Sequence, residues 1–254
     1  MSRSIIAGLV SQGFPADDII VANPSSDKRL ALAQDYGIQQ CQDNVQAAQF
    51  ADVIVLAVKP HFIGSVCQQL SNIANLGSKY FISVAAGICI AQIQHDLGFS
   101  APVLRCMPNT PSLVGFGMSG IYSSNEVSQQ QRNVAETLFS SVGKVLWLTK
   151  EIEIDCITAV SGSGPAYFFM FMEAMQQQAQ EFGFSKEAAR LIVQQTAIGA
   201  ATMVVNSDLE ISQLRHNVTS KGGTTHAALE VLANQNLQQS VAKAMTAAKQ
   251  RAEE

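Results

Sequence analysis

Apolar and polar positions follow two different rhythms along the 254 residues. Up to about Lys150, short apolar runs alternate with stretches of helical spacing. Ser2 to Ser11 has the spacing of a helix, Ile19 to Ala22 reads as a short strand, and Ser26 to Tyr36 as the helix after it. Ala47 to Phe50 belongs to another short helix. Asp52-Val-Ile-Val-Leu-Ala-Val58 is a continuous apolar run, the pattern of a parallel strand buried on both faces. Pro60 stops it, because proline has no N–H for a ladder. Phe62 to Ile73 is amphipathic, Tyr80 to Ala86 is the next strand, halted at Gly87, and Ile90 to Leu97 is a helix. Val103 to Cys106 and Gly117 to Tyr122 read as strands, Val127 to Ser141 as a helix, and Lys144 to Leu148 as the last strand. This alternation predicts an α/β fold with a parallel sheet and crossover helices over residues 1–150.

After Lys150 the strand signal ceases, and 151–254 reads as an all-helical domain. Ile152 to Phe182 is one long helical pattern interrupted at Ser161-Gly-Ser-Gly-Pro165, where a kink is expected. Its apolar residues, Tyr167 to Met172 and Met175, cover more than one face, so the helix must be buried on several sides. Lys186 to Val205, Leu209 to Arg215, a helix after Gly222-Gly223, and Leu237 to Arg251 complete this half.

Composition narrows the function. The chain is 47% hydrophobic and 14% charged with net charge −4, which suits a globular protein that hides much surface, as in an oligomer. The acidic balance and the lack of a Lys/Arg cluster speak against nucleic acid. The densest apolar run, Ala166 to Met172, is too short to span a bilayer, so no membrane partner is expected. No signal-peptide pattern is present and a cytoplasmic location is expected. Five scattered cysteines, Cys41, Cys67, Cys89, Cys106 and Cys156, form neither a Cys-x-x-Cys nor a metal-spaced cluster. They read as reduced thiols acting as small hydrophobes, and no metal site is expected.

The stretch with the clearest chemistry is Val218-Thr-Ser-Lys-Gly-Gly-Thr-Thr-His-Ala-Ala-Leu229. A glycine pair feeding a helix start leaves backbone N–H groups without partners, and the helix dipole adds positive potential. Such a tip holds a small anion; the plainer alternative is an ordinary capped loop. A nucleotide-binding α/β domain starts with a buried strand and a glycine-rich turn, yet Met1-Ser-Arg-Ser-Ile-Ile-Ala-Gly8 already has helical spacing. The expectation is a protein that begins earlier, or a damaged copy, with two strand edges left unpaired inside the sheet.

Five motifs occur in order: Ala57-Val-Lys-Pro60, Ser83-Val-Ala-Ala-Gly87, Arg105-Cys-Met-Pro-Asn-Thr-Pro111, Ser161-Gly-Ser-Gly-Pro-Ala-Tyr167 and Val218-Thr-Ser-Lys-Gly-Gly-Thr-Thr225. Together they resemble pyrroline-5-carboxylate reductase across essentially the whole chain, with Lys221 standing where many members carry proline. The resemblance implies a Rossmann-like domain whose first strand and Gly-x-Gly turn are absent here, followed by a helical domain that interlocks with a second subunit. It also implies hydride transfer from NAD(P)H to the C=N carbon of 1-pyrroline-5-carboxylate, and a homodimer, with larger rings of dimers known in the family.

Read this way, Ser220, Gly222, Gly223, Thr224 and Thr225 cradle the substrate carboxylate, with Gly223, Thr224 and Thr225 N–H groups as donors. Ser220 and Thr225 supply hydroxyls, and Thr225 is a candidate proton relay to the imine nitrogen; a water chain or prior protonation is the alternative. His226 adjoins Thr225 and therefore points elsewhere on a helix. After the second strand, Asn23, Ser25 and Ser26 carry no negative charge, and Lys28 is nearby, which favours NADPH, with NADH as the alternative. Asn44, by resemblance, lies near the adenosine ribose. Ala57, Val58, Lys59 and Pro60 fall at a strand end where such sheets bind ligands, and Lys59 reads either as a cofactor contact or as a solvated lysine. Ala85, Ala86 and Gly87 leave room for a nicotinamide, and Asn109 and Thr110 form a loop near it by resemblance. Two other readings stay open. One is a β-hydroxyacid dehydrogenase, against which the lysine-free Ile157 to Met175 counts. The other is an inactive, truncated dimerising remnant.

Overall fold

A computed structural model describes residues 1–253, and the chain divides into two compact units. The first comprises Met1–Ser163 and the chain from Ala248 on; the second is Gly164–Ala247.

In the first unit helices and strands alternate: α1 (Ser2–Ser11), β1 (Ile20–Ala22), α2 (Ser26–Tyr36), β2 (Gln39–Cys41), α3 (Asn44–Phe50), β3 (Val53–Leu56), α4 (Ile63–Leu70), β4 (Tyr80–Ser83), α5 (Ile90–Leu97) and β5 (Val103–Met107). Then come β6 (Gly117–Ser123), α6 (Gln129–Ser140), β7 (Gly143–Trp147) and α7 (Glu153–Ile157). The strands form two sheets, a parallel pair β1–β2 and a five-stranded sheet in the order β3-β4-β5-β6-β7. β3, β4 and β5 are parallel, as expected, but β6 runs antiparallel to β5. The link from Met107 to Gly117 contains only a short 3₁₀ turn, Thr110–Val114. A parallel return needs a crossover of a dozen or more residues, so the chain doubles back. β7 is parallel to β6 because α6 provides that crossover.

The five-stranded sheet carries apolar layers on both faces. One packs Leu56, Phe81 and Val103 with Ile63, Cys67 and Leu70 of α4 and Ile90, Ile93 and Leu97 of α5. The other packs Ile82, Leu104 and Ile121 with Ile5 of α1 and Leu138 and Phe139 of α6. β4, paired on both sides by β3 and β5, is buried at all four residues. The apolar run of β3 predicted burial on both faces, yet Val53 and Val55 are only half-buried. The reason is that β3 pairs with β4 alone, and no described strand lies along its other edge. β1 has the same open edge, as the unpaired-edge expectation required. A cavity of about 880 Å³ opens there, walled by Ile20 of β1 and by Val53 and Val55 of β3. Lys79, itself buried, donates to the carbonyls of Gln49 and Ala51 where α3 ends; a cation suits a helix C-terminus.

The second unit consists of α8 (Gly164–Glu181), α9 (Lys186–Val205), α10 (Ile211–Asn217), α11 (Thr224–Asn234) and most of α12 (Leu237–Glu253). The expected kink before α8 is a stretch of π-helix, Thr158–Gly162, closed by Ser163 N–H donating to Thr158 O at 2.8 Å. Such wide turns re-aim the chain by inserting one residue. By packing, α7 and this π turn belong with the first unit: Ile154 is buried, and Ile157 sits so close to Gly120 of β6 that a side chain there would clash.

The second unit has almost no core of its own. Its buried residues in α8 and α9 are Gly164, Ala189 and Val193. Phe168, Phe169, Met170 and Phe171 of α8 are all exposed, against the expectation of burial on several sides. By length and composition alone, α9, at 20 residues and mean hydropathy 1.3, is long and apolar enough to cross a bilayer. Its apolar residues are spread among polar ones, so no unbroken run revealed it.

Candidate functional site

In the first unit the sequence-predicted residues stand at strand carboxyl ends. Asn23 follows β1; its Oδ1 accepts the Ser25 N–H at 2.9 Å, forming the turn into α2. Ser25 is the N-cap of α2 but makes no side-chain cap bond, which leaves its hydroxyl uncommitted to the helix. Ser26 Oγ donates to Asp27 Oδ1 at 3.3 Å, so the one acid of the first turn engages a neighbouring hydroxyl. Arg29, overlooked in the sequence, donates through Nη1 to Asn23 O at 3.2 Å and through Nε to Gln40 at 2.7 Å. Its position three to four residues after Ser25 and Ser26, on the same helical face, was the available signal. Asn44 sits in the first turn of α3 and its amide donates to Gln69 at 3.0 Å.

Ala57 to Pro60 follow β3, and Val58, Lys59 and Pro60 are exposed. Pro60 opens a 3₁₀ turn, the position where its missing N–H costs nothing. After β4, Ala85 is buried while Ala86 and Gly87 are exposed. Gly87 has φ +72°, a left-handed conformation that strains any residue with a Cβ. The Asn109 side chain proves to be structural. It donates to Ser161 O at 2.9 Å and accepts the Met118 N–H at 2.9 Å, tying the 3₁₀ loop to both β6 and the π turn. Thr110, next to it, is exposed.

A second polar knot went unnoticed in the sequence. Arg105, buried in β5, pairs with Glu151 at 2.9 Å and lies 3.9 Å from Asp155. The same Glu151 oxygen accepts the Ile90 N–H at 2.7 Å, the first amide of α5. One carboxylate therefore fixes β5, the start of α5 just beyond Gly87, and the entry to α7. Desolvation raises the Asp155 carboxyl above its ordinary range, with Arg105 pulling the other way. Asn109 and Glu151 are 42 residues apart in sequence, and nothing local signals that they brace neighbouring turns.

All five cysteines are free; Cys41, Cys67 and Cys106 are buried, Cys156 is half-buried and Cys89 is exposed. Burial pushes the Cys106 thiol well above its ordinary value, so it is no nucleophile.

In the second unit, Ser220 to Gly223 form a tight turn closed by Gly223 N–H donating to Ser220 O at 3.0 Å. Gly222, third in the turn, has φ +72°, and Lys221 stands second, the place at which proline favours such turns. α11 then begins at Thr224 with Gly223 as N-cap and no side-chain cap bond. Gly223 N–H is thus spent on the turn and is not a free donor. The open donors are the first amides of α11, those of Thr224, Thr225 and His226, because the first intrahelical bond is made by Ala227 N–H to Gly223 O. Ser220, Thr224 and Thr225 are exposed around this tip. His226 turns toward Glu230, 3.7 Å away on the next turn of the helix.

Comparison with known proteins bears on both units. Residues 151–254 match the model of pyrroline-5-carboxylate reductase dimerisation, and residues 1–87 that of NADP oxidoreductase, coenzyme F420-dependent. A pyrroline-5-carboxylate reductase of Vibrio alginolyticus is 49% identical over all of this chain and 93% of its own length. This chain belongs to the pyrroline-5-carboxylate reductase family. The structure of a pyrroline-5-carboxylate reductase from Coxiella burnetii superposes with TM-score 0.93 at 43% identity, over 99% of this chain and 93% of that one. A Plasmodium falciparum pyrroline carboxylate reductase with NADP bound gives 0.88 at 29%, over 98% and 92%. For a member of this family, the apolar surface of α8 and α9 falls within the dimerisation region.

Proposed function

We propose that this chain reduces 1-pyrroline-5-carboxylate to L-proline with NADPH, as a cytoplasmic homodimer that can build larger rings. Membership in the reductase family supports the reaction, and the observation that carries the site assignment is the uncapped start of α11. Its open amides and dipole suit a carboxylate of the substrate's size. Ser220 and Thr225 add hydroxyls at the same tip.

Reduction of a cyclic imine needs no covalent catalyst. NADPH, when bound, supplies the hydride for C5 of the ring, and the imine nitrogen gains a proton. This chain's residues bind, orient and supply hydrogen bonds. Asn23, Ser25 and Ser26 offer uncharged polar groups at the end of β1, where an acid would oppose a 2′-phosphate. Arg29 and Lys28 add positive charge there, and Asn44, Ala57, Val58, Lys59 and Pro60 extend the same cofactor side. Ala85, Ala86 and the left-handed Gly87 leave the approach to β4 free of bulky side chains. Thr110 is the exposed contact of its loop, and Asn109 acts by holding that loop in place. Thr224 and Thr225 amides hold the carboxylate, with Gly222 and Gly223 shaping the turn. Thr225 Oγ1 is the side-chain group assigned to the substrate nitrogen or its water.

The test is steady-state kinetics with 1-pyrroline-5-carboxylate. Thr225→Ala is expected to lower kcat/KM about tenfold or more, as the loss of one hydrogen bond to a charged group does, with NADPH affinity nearly unchanged. A defect confined to NADPH binding would remove Thr225 from the substrate site. No turnover by the unaltered chain, with a stable dimer present, would favour the dimerising remnant.

A further inference from the structure

Between β4 and α5 the chain turns through Val84 to Cys89, a stretch that carries Ala85, Ala86 and the left-handed Gly87. The near end of this turn is held by the sheet. Val84 N–H donates to Leu56 O at 3.2 Å, and Ala85 N–H reaches Ser83 Oγ at 3.4 Å. The far end is held differently. Cys89, the N-cap of α5, makes no side-chain cap bond, and the first turn of the helix contains no acid. Glu151, 61 residues away in sequence, takes over that work: its Oε1 accepts the Ile90 N–H at 2.7 Å. A carboxylate at a helix start satisfies an orphan donor and suits the dipole. The same oxygen accepts Arg105 Nη1 at 2.9 Å. Arg105 is itself buried in β5, and the buried Asp155 stands 3.9 Å from its Nη2.

We propose that Glu151 is a positioning residue for the nicotinamide end of NADPH. A cap supplied by Cys89 itself would steady α5 but tie it to nothing else. Glu151 instead registers the Gly87 turn against β5, the strand that leads into the loop of Asn109 and Thr110. Two stretches assigned to the cofactor, Ala85 to Gly87 and Asn109 to Thr110, are thereby held in one frame through a single oxygen. The inference rests on the reductase reading above. Its physical content is that hydride transfer tolerates little displacement of the donor carbon, so a turn free to shift slows the chemical step more than it weakens binding.

The experiment is steady-state kinetics of the full chain with 1-pyrroline-5-carboxylate, at a temperature where circular dichroism shows each variant folded. Glu151→Ala is expected to lower kcat and kcat/KM for NADPH together by about tenfold, with KM for NADPH nearly unchanged. The deuterium isotope effect on kcat, read with NADPH deuterated at the transferred position, is expected to rise. A mere loss of folded protein would lower kcat and leave that isotope effect alone. Glu151→Gln keeps an oxygen for the Ile90 N–H and is expected to recover at least about threefold of the lost rate. Ile90→Pro removes the donor and leaves the Arg105–Glu151 pair in place; Ile90 is the first residue of α5, where proline is accepted. It is expected to reproduce both effects of Glu151→Ala, and it decides the matter should that variant fail to fold. Ile90→Val, which keeps the N–H, controls for lost packing. An isotope effect unchanged in Glu151→Ala and Ile90→Pro, or Glu151→Gln no faster than Glu151→Ala, would overturn the proposal while the reductase reading stands. No turnover by the unaltered chain would overturn that reading and the proposal with it.

Discussion

The two units solve the same problem in opposite ways. The first covers its sheet on both faces, leaving Phe81, Ile82, Leu104, Ile121 and Phe139 without solvent contact. The second is also rich in large apolar side chains, but Phe168 is 71% exposed, Phe169 62% and Val205 82%. An apolar surface of this extent is a binding surface, and it falls in the region matched by the dimerisation model. The lesson is that apolar content alone does not distinguish a core from an interface. What distinguishes them is whether the chain carries an element to lay over the surface. The first unit has α1, α4, α5 and α6 for that purpose; α8 and α9 await a second subunit.

The largest expected effect comes from attacking the exposed face. Phe168→Asp should raise the dimer dissociation constant at least about a hundredfold, or ~2.8 kcal/mol, and abolish reductase activity with it. Sedimentation equilibrium reads the first and NADPH oxidation the second; an unchanged dimer would mean that α8 is not the interface. Next is the buried knot of the first unit. Glu151→Gln leaves the buried Arg105 guanidinium with only the more distant Asp155, 3.9 Å away, as counter-charge and should cost about 2 kcal/mol. Thermal unfolding measures this, and the dimer constant should not move if the two units are stabilised separately.

The smallest effect sharpens the same contrast from inside the core. The Tyr80 hydroxyl is buried with no hydrogen-bond partner, and burial, helped by Asp52, pushes its pKa up to about 12. The unfolded phenol ionises near its ordinary value, so the stability it confers is fully present below pH 10. That stability is lost as pH rises toward 12. Tyr80→Phe removes the unsatisfied group and should stabilise the neutral-pH protein by about 1 kcal/mol. It should also flatten the alkaline fall in melting temperature between pH 10 and 12; an unchanged alkaline profile would show that Tyr80 is hydrated.

Much of this was legible locally. α1, α2, α5 and α9 span the residues their spacing predicted, because helical periodicity and terminal residues act over a few turns. β2 was missed because Gln39 and Gln40 are polar and exposed on an outer strand, so no apolar run announced it. The glycine turn before α11 was readable, since Gly222 occupies a position that only glycine takes without strain. The loss of the Gly223 amide to Ser220 was not, because that bond depends on how the turn closes. Likewise the Arg105–Glu151 pair left no local mark, being joined across elements.

By itself, then, the order of residues determined the elements, the two-part plan and the motifs that mark the family, all of them set by interactions between near neighbours in the chain. The tertiary structure alone decided the reversal of β6, the π turn before α8 and the structural duty of Asn109. Each of these follows from which distant surfaces meet, and a pairing across space has no signature in the residues on either side of it.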